Sequence, residues 1–235
     1  FDDDLNSLKS FAFALERVTP EQFSKYQRLL TLISDKKAGF GWKPNKKDDR
    51  LVIFTESIPT LNFLYENLPE QIGYLKGQEM SDTELMQTVE EFGKEKSKLR
   101  ILVCSDVASE GINLHYLSHK MVHFDIPWSL MVFQQRNGRI DRYGQTKQPL
   151  IRYLVTTSEN EDVRGDNRTS EVLIEKDDQA QKNIGDPSEF TGKYDQESEE
   201  EAVAEALAES FTSGEDILAD IFGDFDDVDE KEKGP

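Results

Sequence analysis

A single cysteine, Cys104, occurs in 235 residues, so no disulfide can form within the chain. A reducing compartment, the cytoplasm, is the expected setting. The cysteine sits in the apolar run 101–104, where a buried, inert thiol is expected rather than a nucleophile. No apolar run approaches the roughly 18 residues of a membrane-spanning helix, and no secretory signal is visible. The three histidines, His115, His119 and His123, are spaced four apart. On a helix they would share a face, but 121–124 reads as a strand and no further cysteine or histidine is available. No metal site is therefore expected. Positive charge is scarce at one end. From Asp195 to Pro235 there are 16 acidic residues against two lysines, so about −14 of the net charge of −19 lies there. Ile217, Leu218, Ile221, Phe222 and Phe225 alternate with these acids, the pattern of a largely disordered or partner-folding tail.

The most informative stretch is 134–145, QQRNGRIDRYGQ. It sets Arg136, Arg139 and Arg142 three residues apart, with Gly138 before the middle one. If the segment is helical, residues at this spacing share a face and the guanidiniums can converge on one target. A guanidinium is a permanently charged planar fork that matches phosphate oxygens. A glycine in the row lets a ligand or backbone come close. A phosphate site and a solvated basic face are both open on the arginines alone. Upstream, 99–114 reads LRILVCSDVASEGINL. An apolar run ends in Ser105-Asp106 and small residues, as a strand leading into a crevice loop of an open α/β sheet would. A second strand, 121–124, is expected to stop before Pro127, which cannot donate to a central ladder.

Strand, loop, strand and arginine helix in this order resemble the second RecA-like lobe of superfamily 2 helicases and translocases. SDVASEGIN resembles motif V of that family. Gln135, Gly138, Arg139 and Arg142 fit motif VI. LVIFTE at 51–56 resembles motif IV, and Leu75-Lys76-Gly77 resembles the motif after it. The Gly144-Gln145 continuation is typical of the Swi/Snf-type branch, and the closest likeness is to bacterial RapA-type ATPases. The resemblance covers roughly 50–157. One departure is Trp128-Ser129-Leu130, where the branch carries Asn-Pro after the aromatic, so the local turn is open there. The resemblance implies that ATP binds between two lobes, with Arg139 and Arg142 as arginine fingers and Gln135 beside them. Gly111, Asn113 and Gly138 would line the nucleotide. Thr55, Gly77 and Ser105 would contact a nucleic-acid backbone, with double-stranded DNA the implied substrate and association with the bacterial nucleoid possible. Arg136 lies outside the fixed positions, and a structural ion pair is its preferred reading. Asp106 and Asp141 are candidates to orient arginines. No GxxxxGKS/T loop and no paired Asp-Glu strand precede these motifs. The phosphate cradle and Mg2+ ligands are expected on a first lobe outside this sequence. The sequence starts at Phe1 and reads as the carboxyl-terminal piece of a longer protein, inactive as an ATPase by itself.

The expected fold is α/β: a RecA-like parallel sheet with helices on both faces, an N-terminal helical segment and the acidic tail. Residues 1–49 form a helical lead-in and linker, 50–157 the lobe, 158–194 a helical extension and 195–235 the tail. Thr19-Pro20-Glu21-Gln22 reads as a helix start with Thr19 as cap. Phe23, Tyr26, Leu30 and Ile33 follow at helical spacing. The linker 36–49 carries Lys36, Lys37, Lys43, Lys46 and Lys47, which fit either a nucleic-acid backbone or a solvated loop. Strands are expected at 51–55, 72–75, 100–104, 121–124 and 151–155, and helices at 58–67, 81–92 and 130–141. The tail fits a protein partner, a solubilising role or a cover over the lobe's own nucleic-acid groove.

Overall fold

The computed structural model describes residues 2–43, 45–68, 72–76, 79–106, 112–115 and 118–157, with Thr169, Leu173, Ile174, Glu200, Glu201, Val203, Ala204 and Glu205. Gly77, Gly111 and most of 158–235 lie outside these residues.

The sheet is built from β1 (Arg50–Phe54), β2 (Ile72–Leu75), β3 (Ile101–Cys104), β4 (Ser118–His123) and β5 (Leu150–Tyr153). Its order is β2-β3-β1-β4-β5 and every pairing is parallel. Side chains alternate across a strand, and here both sets are apolar, as burial on both faces demands. Leu51, Ile53, Ile101, Val103 and Val122 face one core, with Tyr26, Leu29, Leu61 and Leu64. Those four come from α2 (Ser24–Ser34) and α3 (Ile58–Asn67). Val52, Phe54, Leu102, Cys104 and Met121 face the other, with Phe92 and Ile140. Phe92 belongs to α4 (Asp82–Gly93), which opens on a capping box between Ser81 and Glu84. The remaining N-terminal helix, α1 (Asp2–Glu16), is exposed along its described length, Leu8, Phe11 and Phe13 included.

The start of α2 differs from expectation. Thr19 to Gln22 form a turn: the amides of Gln22 and Phe23 both donate to the Thr19 carbonyl, at 3.0 and 3.1 Å. The helix begins only at Ser24, without a side-chain cap on its N-cap residue Phe23. Phe23 packs edge-on against Phe63 and Phe124, at 5.4 and 5.9 Å between centroids. Aromatic packing holds Phe23 extended and overrides the local capping signal. Leu29 is fully buried and Leu30 only partly, so the inward stripe is rotated from the one expected.

The linker 36–49 is not a free loop. Phe40 and Trp42 join the first core, and the Trp42 indole donates to the Asp49 carbonyl at 2.9 Å. A Cβ on Gly39 would lie 2.2 Å from the Leu32 carbonyl oxygen, so only glycine lets the chain double back so closely on α2. Asp49 then meets Lys120 at 2.6 Å, both buried. This ties the linker to β4.

Candidate functional site

The carboxyl ends of β1, β3 and β4 lie side by side, because these strands are neighbours in the sheet. Functional loops of open parallel sheets gather at this edge. Over it runs α5 (Leu130–Asn137). The Trp128-Ser129-Leu130 departure resolves simply. Ser129 is the N-cap, and its hydroxyl accepts from the Val132 amide at 3.2 Å.

The arginine row does not form one helical face. The helix ends at Asn137 and Gly138 caps it, so only Arg136 is helical. Arg136 turns inward with Val132 and Phe133 and is 1% exposed. Arg139 and Arg142 instead reach the segment before β4. Arg139 Nη1 donates to the Ile112 carbonyl at 3.5 Å, and Arg142 Nη1 to the Asn113 side-chain oxygen. Gly138 has an ordinary helical φ of −63°. Its missing side chain spares the Gln134 carbonyl, 3.3 Å from where a Cβ would sit. Gln135 is exposed on the outer side of α5. The turn that follows is pinned by Gln145, whose amide donates to the carbonyls of His115, Ser118 and Ile140 at 3.2, 2.9 and 3.1 Å. The 139–145 segment is thus held by its last residue, which the sequence marked only as a family signature.

Arg136 makes the ion pair expected of it. Nε and Nη2 meet the two Asp106 oxygens at 2.6 Å each. Nη1 donates to the Asp125 carbonyl at 3.0 Å, while Nη2 lies 3.5 Å from the Asp125 carboxylate and 3.4 Å from Glu56. The Phe54 ring lies 5.7 Å away. Burial works against this charge, but the Asp106 hydrogen bonds and the surrounding carboxylates outweigh it and raise the guanidinium pKa. His123 completes the group: its Nε2 pairs with Asn137 Oδ1 at 2.9 Å and its Nδ1 lies 3.4 Å from Arg136. Burial first, then the Arg136 charge, lower the His123 pKa to about 3 against the Asn137 hydrogen bond, so the ring is neutral. Burial lifts Glu56 to about 7, opposed by Arg136 and assisted by Asp125, Asp106 and Glu200. Its side chain is still 45% exposed, so solvent screens its interaction with Arg136. The Cys104 thiol is pushed up by burial, as an inert core sulfur should be.

Thr55 and Ser105 are both at this edge but turned inward. Thr55 is 0% exposed and its hydroxyl donates to Asp125; Ser105 is 4% exposed and donates to the Leu75 carbonyl at 3.3 Å. Neither hydroxyl faces solvent. Of the two candidate orienting acids, Asp106 holds Arg136, whereas Asp141 is exposed. Glu56, Asp125, Asn137 and Gln145 were missed by sequence reasoning. Each acid follows a strand end, which was the available signal. Among the described residues no group of three or more His, Cys, Asp or Glu side chains is arranged to hold a metal ion. No described helix is long and apolar enough to cross a membrane.

Beside α5, Ile126, Leu130 and Phe133 form a third apolar cluster with Leu173 and Val203, both 0% exposed. Val203 falls in the segment expected to be an acidic tail, and Leu173 in the expected helical extension.

The profile of the helicase conserved C-terminal domain matches residues 24–144. The Bacillus subtilis protein called Uncharacterized ATP-dependent helicase YqhH is 28% identical over 178 residues, covering 72% of this chain and 29% of that protein. RNA polymerase-associated protein RapA of Pectobacterium atrosepticum is 41% identical over 70 residues, 29% of this chain and 7% of that protein. The chain thus spans less than a third of either relative's length. The solved C-terminal part of the Fun30 ATPase domain gives a TM-score of 0.49 at 17% identity, covering 76% of this chain and 63% of that one.

Proposed function

The chain belongs to the helicase conserved C-terminal domain family, and from that premise we propose that it is the second motor lobe of an ATP-driven translocase on double-stranded DNA. One observation carries the reading. Arg139 and Arg142 leave the helix at Gly138 and gather on Ile112 and Asn113, beside the carboxyl edge of the sheet. Two guanidiniums are donors of the kind that the terminal phosphate of ATP requires, and Arg142 is exposed and held to a neutral amide. ATP supplies the transferable phosphoryl group when bound, with Mg2+ ligands coming from a first lobe. Arg139 and Arg142 neutralise charge that develops in the transfer, Gln135 orients beside them, and Gly111, Asn113 and Gly138 line the nucleotide. Thr55, Gly77 and Ser105 belong to the nucleic-acid side. With their hydroxyls turned inward, Thr55 and Ser105 act by shaping their loops rather than by direct contact. The chain alone hydrolyses no ATP and works in the cytoplasm, at the nucleoid, and its acidic tail takes a protein partner.

The test uses the longer protein that carries this lobe. ATP hydrolysis is measured with duplex DNA, with RNA and with neither, for the unaltered protein and for Arg142→Ala. Duplex-stimulated hydrolysis that falls by about 10³-fold in Arg142→Ala supports the reading. Stimulation by RNA alone would make this an RNA helicase lobe, and hydrolysis indifferent to Arg142→Ala would leave only a non-catalytic interaction module.

A further inference from the structure

Arg136 is buried and hydrogen-bonded through all three guanidinium nitrogens, and the finger role does not use it. Its fork is shared among three carboxylates that follow three different strands: Glu56 after β1, Asp106 after β3 and Asp125 after β4. Two of these also govern the nucleic-acid side. Asp125 accepts from the Thr55 hydroxyl and, at 3.1 Å, from the Glu56 amide, while Asp106 is bonded in sequence to Ser105. The same helix runs directly into Arg139 and Arg142. One buried side chain therefore stands between the residues placed on the nucleic-acid side and those placed on ATP.

A role in stability alone explains this poorly. Three carboxylates around one guanidinium leave surplus negative charge at a site with little water, and buried ion pairs are weak stabilisers. What the bidentate fork provides is a fixed position and angle for the two Asp106 oxygens relative to α5, which a Lys point charge does not.

We infer that Arg136 is a positioning residue that couples nucleic-acid binding at the β1 and β3 loops to the placement of Arg139 and Arg142. This rests on the reading in the preceding section. A nucleic-acid strand that shifts the 55–57 or 105–106 loop moves Asp125 or Asp106, and these are bonded to the helix that carries the fingers. The contacts form one continuous network of 2.6–3.5 Å links, the physical requirement for coupling between sites.

Arg136→Lys in the longer protein keeps the charge and removes the fork. The quantity read is the ratio of duplex-stimulated to basal ATP hydrolysis at saturating DNA, at a temperature where circular dichroism shows the variant folded. Coupling through Arg136 predicts a ratio reduced by roughly 5- to 100-fold, the usual range for linked sites. Glu56→Gln, which removes the most exposed partner and strands no buried charge, lowers the ratio less and serves if Arg136→Lys does not fold. A ratio unchanged in the folded variants overturns the inference. A longer protein without any duplex-stimulated hydrolysis overturns the function reading first, and this inference with it.

Discussion

Replacing Arg136 with methionine should reveal how much charge the site holds in balance. Methionine fills most of the space of the side-chain stem but leaves Asp106, 19% exposed, and Asp125, 27% exposed, facing each other without a cation. Breaking a buried pair by removing one partner costs about 3–5 kcal/mol. Against a typical domain stability of about 5–15 kcal/mol this is a large fraction. For a chain of this size it corresponds to a fall in Tm of roughly 6–20 °C. Urea denaturation followed by circular dichroism at pH 7.5 measures it. The second substitution, Asp106→Asn, gives the sharper result. Alone it breaks two charge-assisted hydrogen bonds of 2.6 Å and should cost about 1.5–3 kcal/mol. Added to Arg136→Met it removes a stranded carboxylate and should restore stability. The sign of the Asp106→Asn effect therefore reverses between the two backgrounds. A loss below about 1 kcal/mol for Arg136→Met, as a solvent-screened surface pair would give, refutes the buried network. So does an Asp106→Asn effect of the same sign in both.

Three other outcomes are accessible on this chain. The unfolded His123 takes a proton near pH 6.5, whereas the folded ring resists until about 3. The unfolded state thus binds more protons and stability is lost as pH falls through that window, by at most about 1.4 kcal/mol per pH unit. Glu56, raised to about 7, acts oppositely: its contribution is present below 4.5 and lost as pH rises through 7. Urea midpoints from pH 7 to 5 should therefore fall more steeply in Glu56→Gln than in the unaltered chain; equal slopes would contradict the Glu56 shift, and no fall with pH in Glu56→Gln would contradict that of His123. Trp42→Ala removes a core aromatic from the linker and should cost about 3–5 kcal/mol; a change under 1 kcal/mol in the same assay would mean that the linker is only a surface loop. Val203→Asp puts a charge against Leu130 and Phe133. Losing the burial of that side chain costs about 1.5 kcal/mol or more, and hydrogen exchange should rise in 200–205 and at the start of α5. Unchanged exchange there would contradict the contact.

The three inner strands, β1, β3 and β4, were legible because they are buried on both faces, whereas the edge strand β5 is only partly covered. Five short apolar runs bounded by polar residues read as strands once helical runs separate them, and the observed bounds differ by a residue or two at most ends. β4 is the larger miss, beginning at Ser118 rather than Met121. His119 and Lys120 look like loop residues in sequence, yet Lys120 enters the sheet because Asp49 neutralises it at 2.6 Å. The linker was misjudged for the same reason. Its five lysines suggest solvent, while Phe40 and Trp42, two residues apart, carry the burial. Where a few aromatics are scattered among many charges, composition reports the charges and packing follows the aromatics.

The site was half legible, and the divide falls at Gly138. Spacing alone makes Arg136, Arg139 and Arg142 equivalent. On a continuous helix each would lie about 60° from the next, and all three would crowd the same side of α5, next to the sheet. The sequence marks Gly138 as a place of close approach but does not say that the helix stops there. Because it stops, Arg136 alone follows Phe133 inward, and the next two arginines follow a turn outward to Ile112 and Asn113. What Arg136 finds inside depends on strand order, which no local pattern reveals. Glu56, Asp106 and Asp125 are far apart in sequence, and each merely ends an apolar run. Only the β3-β1-β4 adjacency brings their carboxylates to one guanidinium. The separation of one buried structural arginine from two that leave the helix is therefore a property of topology and helix termination together, and a substitution that prolonged α5 through Asp141 would abolish it without touching any arginine.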